Sequence, residues 1–261
     1  MAQQQNKVGS IGSDKDIELT LHTKSSIRLW NGRKAKEGEK YGVLGFAGFA
    51  RRMKMIEDNI QNNDPYALYH FDQVQKAVKE LESFYLSFED DIQAIMATVP
   101  KSLKIPDVSS TTPIIYPVKF ASRVGFAGLY QLIKLDELVL EILKAAHIAK
   151  ISSKEKSKMI YTLENKMRYV FGLTFKYRFM DVTRDDIAAN NAKAQRAIEA
   201  LGEIPTPYLT GEIEVDNAPR LPVNREVALL VDAVEEEDEI ETLDAALDDL
   251  LDDIDDAKAS A

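Results

Sequence analysis

Gly42, Gly45 and Gly48 in the stretch YGVLGFAGFARR are residues that let a backbone come close to something, and the first candidate is a phosphate. The spacing argues against it. A dinucleotide loop needs glycines at its first, third and sixth positions, so that the chain turns tightly and its amides approach a pyrophosphate. Here they fall every third residue with Phe46 and Phe49 between them. Kinase-type and Walker-type loops also need a lysine or hydroxyl in fixed register, which GFAGFA lacks. The tetrapeptide Gly-Phe-Ala-Gly returns unchanged at residues 125–128, within RVGFAGLYQL. Outside it the similarity fades, which leaves duplication and coincidence both open; since each copy enters a helix after an extended basic stretch, the reading is a shared packing role, a strand-to-helix hinge where small residues let a helix start close to a neighbour while phenylalanine fills the core.

Other chemistry is not signalled. His22, His70 and His147 sit in different elements without companions at ligand spacing, and read as satisfied structural histidines. There is no cysteine and no Gly-x-Ser-x-Gly elbow, and no carboxylate pair stands out as an acid–base couple. The sequence therefore predicts no catalytic residue, no metal and no cofactor. Without a charged-then-apolar leader or an apolar run of about 20 residues, it also predicts a soluble cytoplasmic protein that meets no membrane.

Charge is the informative property. The formal net charge is -10, yet residues 232–261 hold 14 acidic residues against Lys258, which leaves the remaining chain mildly basic. Positive charge clusters twice. Lys24–Lys54 carries nine basic residues, among them Arg28, Arg33, Lys34, Arg51 and Arg52, against Glu37 and Glu39. Lys150–Arg184 carries nine, including Lys154 and Lys156, against three acidic residues. Two such segments are an electrostatic footprint for a polyanion, although a basic stretch can equally be a solvated face.

These side chains must be positioned by the elements around them. The alternation in DIELTLHT predicts a strand, followed by a polar, basic connection through Gly32 and Gly38 and a helix over about 46–60. Asp64-Pro65 opens a long helix whose apolar residues Phe71, Val74, Val78, Leu81, Tyr85, Phe88 and Ile92 keep three-four spacing until Pro100. The proline-rich stretch 100–117 reads as a loop joining two halves, 16–99 and 114–202, with a second strand around IIYPVKF. A largely apolar helix is expected over about 129–148. A Ser152–Glu155 capping box then opens a helix with a basic outer face, and Thr183 with Asp186 opens one that Gly202 ends. A short strand at GEIEV is a further expectation. The organisation is thus a flexible arm at 1–15, a globular unit at 16–225 and an acidic amphipathic tail at 226–261, in which Ile240, Leu243, Leu247, Leu250 and Ile254 again keep three-four spacing.

Taken together, IELTLHTKSSIRLWNGRKA, GVLGFAGFARRM, DPYA, RVGFAGLYQLIKLDELV, AAHI and ALGEIP resemble the family of conjugative-element and conjugative-plasmid proteins that includes the transcriptional regulator AcaB, over roughly residues 16–221. The resemblance implies a bacterial, dimeric regulator of conjugative-transfer genes, an activator acting on promoter DNA, and a ribbon-helix-helix mode of binding. That mode needs a short strand from each of two subunits in the major groove, then two helices. Two places fit its order. The later is YPVKFASR with the two helices after it, where Lys119, Ala121 and Arg123 would share one strand face; the earlier is IELTLHTK, with Glu18, Thr20, His22 and Lys24. The later has the better topology, although Pro117 is awkward in a paired ribbon.

The expected fold is accordingly α+β and mainly α, a helical core with a short β-ribbon. The candidate DNA-binding residues are Lys119, Arg123, Arg28, Arg33, Lys34, Arg51, Arg52, Lys154 and Lys156. The acidic tail would contact the transcription machinery or fold back on the basic face. The alternative is a non-enzymatic structural or interaction protein of a conjugation system.

Overall fold

Asp64 starts the longest helix in the way its sequence predicts. Its carboxylate accepts the Tyr66 and Ala67 amides at 2.8 and 3.1 Å, Pro65 occupies the first turn, and α3 runs from Pro65 to Ala97. The structure is a computed structural model and describes residues 17–35, 42–106 and 108–220. The expected N-terminal arm, Lys36, Lys40 and the acidic tail lie outside the described residues.

The described chain is mainly helical with one small sheet. Strand β1 (Ile17–Leu21) leads into α1 (Lys24–Asn31), α2 (Phe46–Gln61) and α3, and β2 (Ile114–Val118) leads into α4 (Arg123–His147) and α5 (Ser153–Leu173). A 3-10 turn at Thr174–Lys176 and the short helices α6 (Arg184–Ala188), α7 (Ala192–Leu201) and α8 (Thr206–Thr210) complete it. The α3, α4 and α5 stripes pack on one another and on α2 around a single apolar cluster. Fully burying one such side chain stabilises the fold by roughly 1.5–3 kcal/mol. Tyr85, buried on α3, donates its hydroxyl to the Leu163 carbonyl at 3.0 Å and so ties α3 to α5.

The sheet joins the two stretches of chain that flank the proline-rich loop. β1 and β2 are antiparallel, with Ile17 opposite Val118, Leu19 opposite Tyr116 and Leu21 opposite Ile114. Leu19, Leu21 and Val118 face the core; Glu18, Thr20, Ile115 and Pro117 face solvent. Pro117 is tolerated because a two-stranded ribbon leaves an edge without a hydrogen-bonding partner.

Several expectations change. The basic connection after β1 contains a helix, because Thr23 caps it by accepting the Ser26 amide at 3.2 Å and Leu29, Ile27 and Trp30 turn inward before Gly32 (φ 63°) stops it. α4 begins six residues before the expected Leu129, with Ser122 as its cap. Residues 184–201 are two helices, since Asn190 adopts φ 48° and Asn191 recaps the chain. No described residue of GEIEV forms a strand; α8 precedes it.

Asp136 of α4 is 4% exposed and secures the β1–α1 junction. It accepts the amides of His22 and Thr23 at 2.8 and 2.9 Å and the Ser26 hydroxyl. The histidines differ from one another. His147 is exposed, whereas the Nδ1 atom of His22 is buried with no hydrogen-bond partner among the described residues.

His70 is buried on α3, and burial, with Lys176 adding to it, pushes its imidazole down to about 4. Near it, burial pushes the Asp64 carboxyl up to about 6, against the hydrogen bond from the Tyr177 hydroxyl at 2.6 Å and those from two amides. The signs oppose. Folded His70 holds fewer protons than the unfolded chain between about pH 4 and 6.5, so its contribution is complete above 6.5 and is lost as pH falls. Folded Asp64 holds more protons between about pH 4 and 6, so its contribution is present at low pH and is lost as pH rises through 6. Each amounts to about 3 kcal/mol and the two nearly cancel. A His70→Asn variant should therefore gain about 2–3 kcal/mol relative to the parent between pH 7 and pH 4.5 in urea titrations. A constant difference would rule this account out.

Candidate nucleic-acid interface

The described elements that carry the first basic cluster meet at a group of aromatic rings. Trp30 at the end of α1 stacks on Phe46 at 5.2 Å and meets Tyr116 of β2 at 4.9 Å. Phe46 meets Phe120 at 5.5 Å, and Phe120 meets Phe126 of α4 at 4.9 Å. Below them Phe49 stacks on Phe171 of α5 at 4.9 Å. Such pairs add roughly 0.5–1.5 kcal/mol each beyond their area. The result is a rigid junction of α1, α2, β2 and α4.

Both Gly-Phe-Ala-Gly copies belong to this junction, and they touch. A β-carbon on Gly128 would lie 2.8 Å from Phe49 and 3.6 Å from Phe46, so the second copy's last glycine makes room for the ring of the first copy and for Phe49 just after it. Gly45 has a different task. It is the N-cap of α2, and a β-carbon there would come within 2.5 Å of the Asn31 carbonyl carbon and the Gly32 amide nitrogen. The space a phosphate would need is filled by the end of α1. The copies also differ in register, since Gly45 caps α2 whereas Gly125 lies in the first turn of α4 behind the cap Ser122.

Ser122 is fully buried and donates its hydroxyl to Glu57 of α2 at 2.7 Å. Burial pushes the Glu57 carboxyl above its ordinary range, against that hydrogen bond. This contact fixes where α4 begins, and with it the exposed Arg123 in the first position of the helix.

The expected cations divide into three groups. Arg28, Arg33, Lys34, Lys119 and Arg123 are exposed and lie within a few residues of Trp30, Phe120 or Phe126. A backbone bridge between Arg33 and Val43, with bonds of 2.8 and 2.6 Å, ties the chain after α1 to the chain before α2. Arg51 is exposed on α2, five residues beyond Phe46.

Arg52 is used internally. Its guanidinium donates to the Thr174 and Tyr177 carbonyls at 3.0–3.2 Å and lies over Phe175 at 4.5 Å, so it holds the end of α5 to α2. Lys154 and Lys156 lie at the far end of the α4–α5 hairpin. The 25 residues of α4 separate them from Arg123, about 37 Å at 1.5 Å per residue.

The strand expected to present Lys119, Ala121 and Arg123 on one face ends at Val118, so Lys119 lies in the connection to α4 and Arg123 in its first turn. The solvent face of the ribbon carries Glu18, Thr20, Ile115 and Pro117 and no cation. Its two strands come from one chain, whereas the expected mode pairs one strand from each of two subunits. By length, the earlier candidate fits strand-helix-helix better, with β1, the 8-residue α1 and the 16-residue α2 in order.

Charge counting passed over two exposed tyrosines. Tyr130 on α4 is 61% exposed beside Phe126, and Tyr161 on α5 is 62% exposed. Helical spacing was the available signal, since Tyr161 stands three residues beyond Lys158 and seven beyond Lys154. Among the described residues no group of three or more His, Cys, Asp or Glu could hold a metal ion. No described helix is long and apolar enough to cross a membrane.

A family model described as transcriptional regulator AcaB matches residues 7–222. Among solved structures, the crystal structure of selenomethionine-containing AcaB from uropathogenic E. coli is similar in fold, with a TM-score of 0.52 and 12% identity, over 76% of this chain and 95% of that one. No curated protein matches the sequence.

Proposed function

Because the chain belongs to the AcaB family of transcriptional regulators, we propose that it binds promoter DNA of conjugative-transfer genes in a bacterial cytoplasm and activates them as a non-enzymatic homodimer. The observation that carries the DNA-binding part is the set of exposed cations, Arg28, Arg33, Lys34, Lys119 and Arg123, on the ends of α1, β2 and α4, locked together by the aromatic junction. Cations on rigid, adjoining ends present a fixed charge pattern to a phosphate backbone. Arg51 extends the same surface along α2.

The ribbon-helix-helix mode, in this reading, is assigned to β1–α1–α2. Thr20 and Glu18 of β1 face outward, and the flanking arginines and lysines supply the phosphate contacts. Lys154 and Lys156 are left out of this face because of their distance from it.

Fluorescence anisotropy with labelled duplexes from upstream of transfer genes, measured across a salt series, tests the reading. Each phosphate contact contributes close to one unit to the slope of log affinity against log salt. Arg33→Ala and Arg123→Ala should each weaken binding several-fold and reduce that slope by about 1, equally across duplex sequences. Arg52→Ala should lower stability and leave the slope unchanged. Full-length protein with no salt-sensitive binding to any of these duplexes would overturn the proposal and favour an interaction role in the transfer apparatus.

A further inference from the structure

The outer face of α5 carries a stripe of exposed lysines and tyrosines. Lys154, Lys158, Tyr161, Asn165 and Tyr169 follow one another at intervals of four, three, four and four, which puts them on one side of the helix. Tyr161 and Tyr169 are 62% and 40% exposed. Neither Lys154 nor Lys158 has an ion pair with a described residue, and α5 as a whole carries five basic residues against two acidic ones. A basic face with two tyrosines lying open suits an acidic, amphipathic segment.

The chain supplies such a segment and delivers it to the right level. The last described residues run along α3, where the Tyr208 hydroxyl bonds Asp72 and Asp216 pairs with Lys79 at 3.3 Å. α3 and α5 are antiparallel. His70 lies beside Tyr177 at 5.9 Å, and Lys166 lies over Phe84 at 5.5 Å. Lys79 therefore stands roughly level with Tyr169, and the chain from Asp72 to Lys79 heads toward the N-terminal end of α5, where Lys158 and Lys154 are.

We infer that residues 232–261 dock in cis on this face of α5. Ile240, Leu243, Leu247, Leu250 and Ile254 keep the three-four spacing that the stripe itself has. As a helix they would span about 21 Å, against about 22 Å from Lys154 to Tyr169, both at 1.5 Å per residue. The 20 residues from Arg220 to Ile240 reach about 25 Å as a flexible chain, enough to enter at Tyr169 and run back toward Lys154. The apolar residues cover the two tyrosines. In this register Asp248 and Asp255, which flank the apolar row, come level with Lys158 and Lys154. The docked segment withdraws the basic stripe from other polyanions, apart from the aromatic junction at the other end of α4.

The chain has no cysteine, so a pair of spin labels can be placed cleanly in the full-length protein. With labels at Ser157→Cys and Ala246→Cys, double electron–electron resonance should give one distance of about 20–30 Å, from helices about 8–10 Å apart plus two label tethers. The distribution should broaden in Lys154→Glu/Lys158→Glu, and independently in Asp248→Lys/Asp255→Lys. Combining the two charge reversals should restore the short distance. All three variants change exposed or terminal positions, and far-UV circular dichroism checks that they fold. A broad distribution in the parent, or one unmoved by both reversals, overturns the proposal. So does a short distance that disappears when labelled chain is diluted with unlabelled chain, because the contact would then be between copies.

Discussion

Replacing Asp136 by alanine is expected to destabilise the protein by about 3–5 kcal/mol, a large share of the stability of a domain this size. The reason is the number of donors that converge on one carboxylate. The amides of His22 and Thr23 and the Ser26 hydroxyl all end there, in surroundings that water does not reach easily. A buried donor left without an acceptor costs about 1–3 kcal/mol, and three in one network sum to less than three times that. Asp136→Asn keeps one acceptor oxygen and should cost about half as much. Ser26→Ala, which removes one donor and leaves Thr23 to cap α1, should cost about 1 kcal/mol. Urea titrations give the three values, and their order is the test. A loss below 1 kcal/mol in Asp136→Ala would mean that the β1–α1 junction is held by something else.

Gly45→Ala is the second large expectation, at about 3 kcal/mol or more. An added methyl would stand 2.5–2.6 Å from the Asn31 carbonyl carbon, the Gly32 nitrogen and the Trp30 oxygen, all of them backbone atoms. Overpacking against side chains costs about 1–3 kcal/mol because rotamers can yield. Here the α1 terminus itself has to move, and Gly32 at φ 63° is its turning point. Gly48→Ala is the control, three residues along the same motif. Its methyl meets only the Leu44 side chain, which can rotate away, and an alanine inside a helix gains up to about 1 kcal/mol over glycine. The pair should therefore differ by about 3 kcal/mol in denaturant titrations. Equal effects would show that α1 and α2 do not meet so closely.

The elements with local chemistry were legible. Asp64-Pro65 and the Ser152–Glu155 box mark the starts of α3 and α5 with their own hydrogen bonds, and apolar periodicity follows each across many turns. Helix α1 was hidden because its eight residues hold too few apolar positions to show a period, and its cap Thr23 lies in what reads as the end of a strand. The break at Asn190–Asn191 depends on one left-handed residue, which asparagine permits and does not announce. For the candidate interface, the sequence shows which segments are basic but not which way each side chain turns. Arg51 and Arg52 are adjacent and alike in sequence, yet only Arg52 reaches the Thr174 and Tyr177 carbonyls, 122 and 125 residues away. The separation of Lys154 and Lys156 from Arg123 likewise follows from the antiparallel hairpin and not from charge.

The β1–α1 junction also sets an order of events at the ribosome. β1 is made before the rest of the described fold, but its hydrogen-bonding partner β2 comes about a hundred residues later and its anchor Asp136 lies 114 residues beyond His22. At 5–20 residues per second, synthesis leaves β1 without β2 for about 5–19 s and without Asp136 for about 6–23 s. Helices α2 and α3 adjoin each other in the chain and can pair during that interval, whereas the ribbon requires long-range closure and is favoured late. The first strand of the described fold is thus among the last parts to take its place, and an emerging chain exposes Leu19 and Leu21 until α4 has been made.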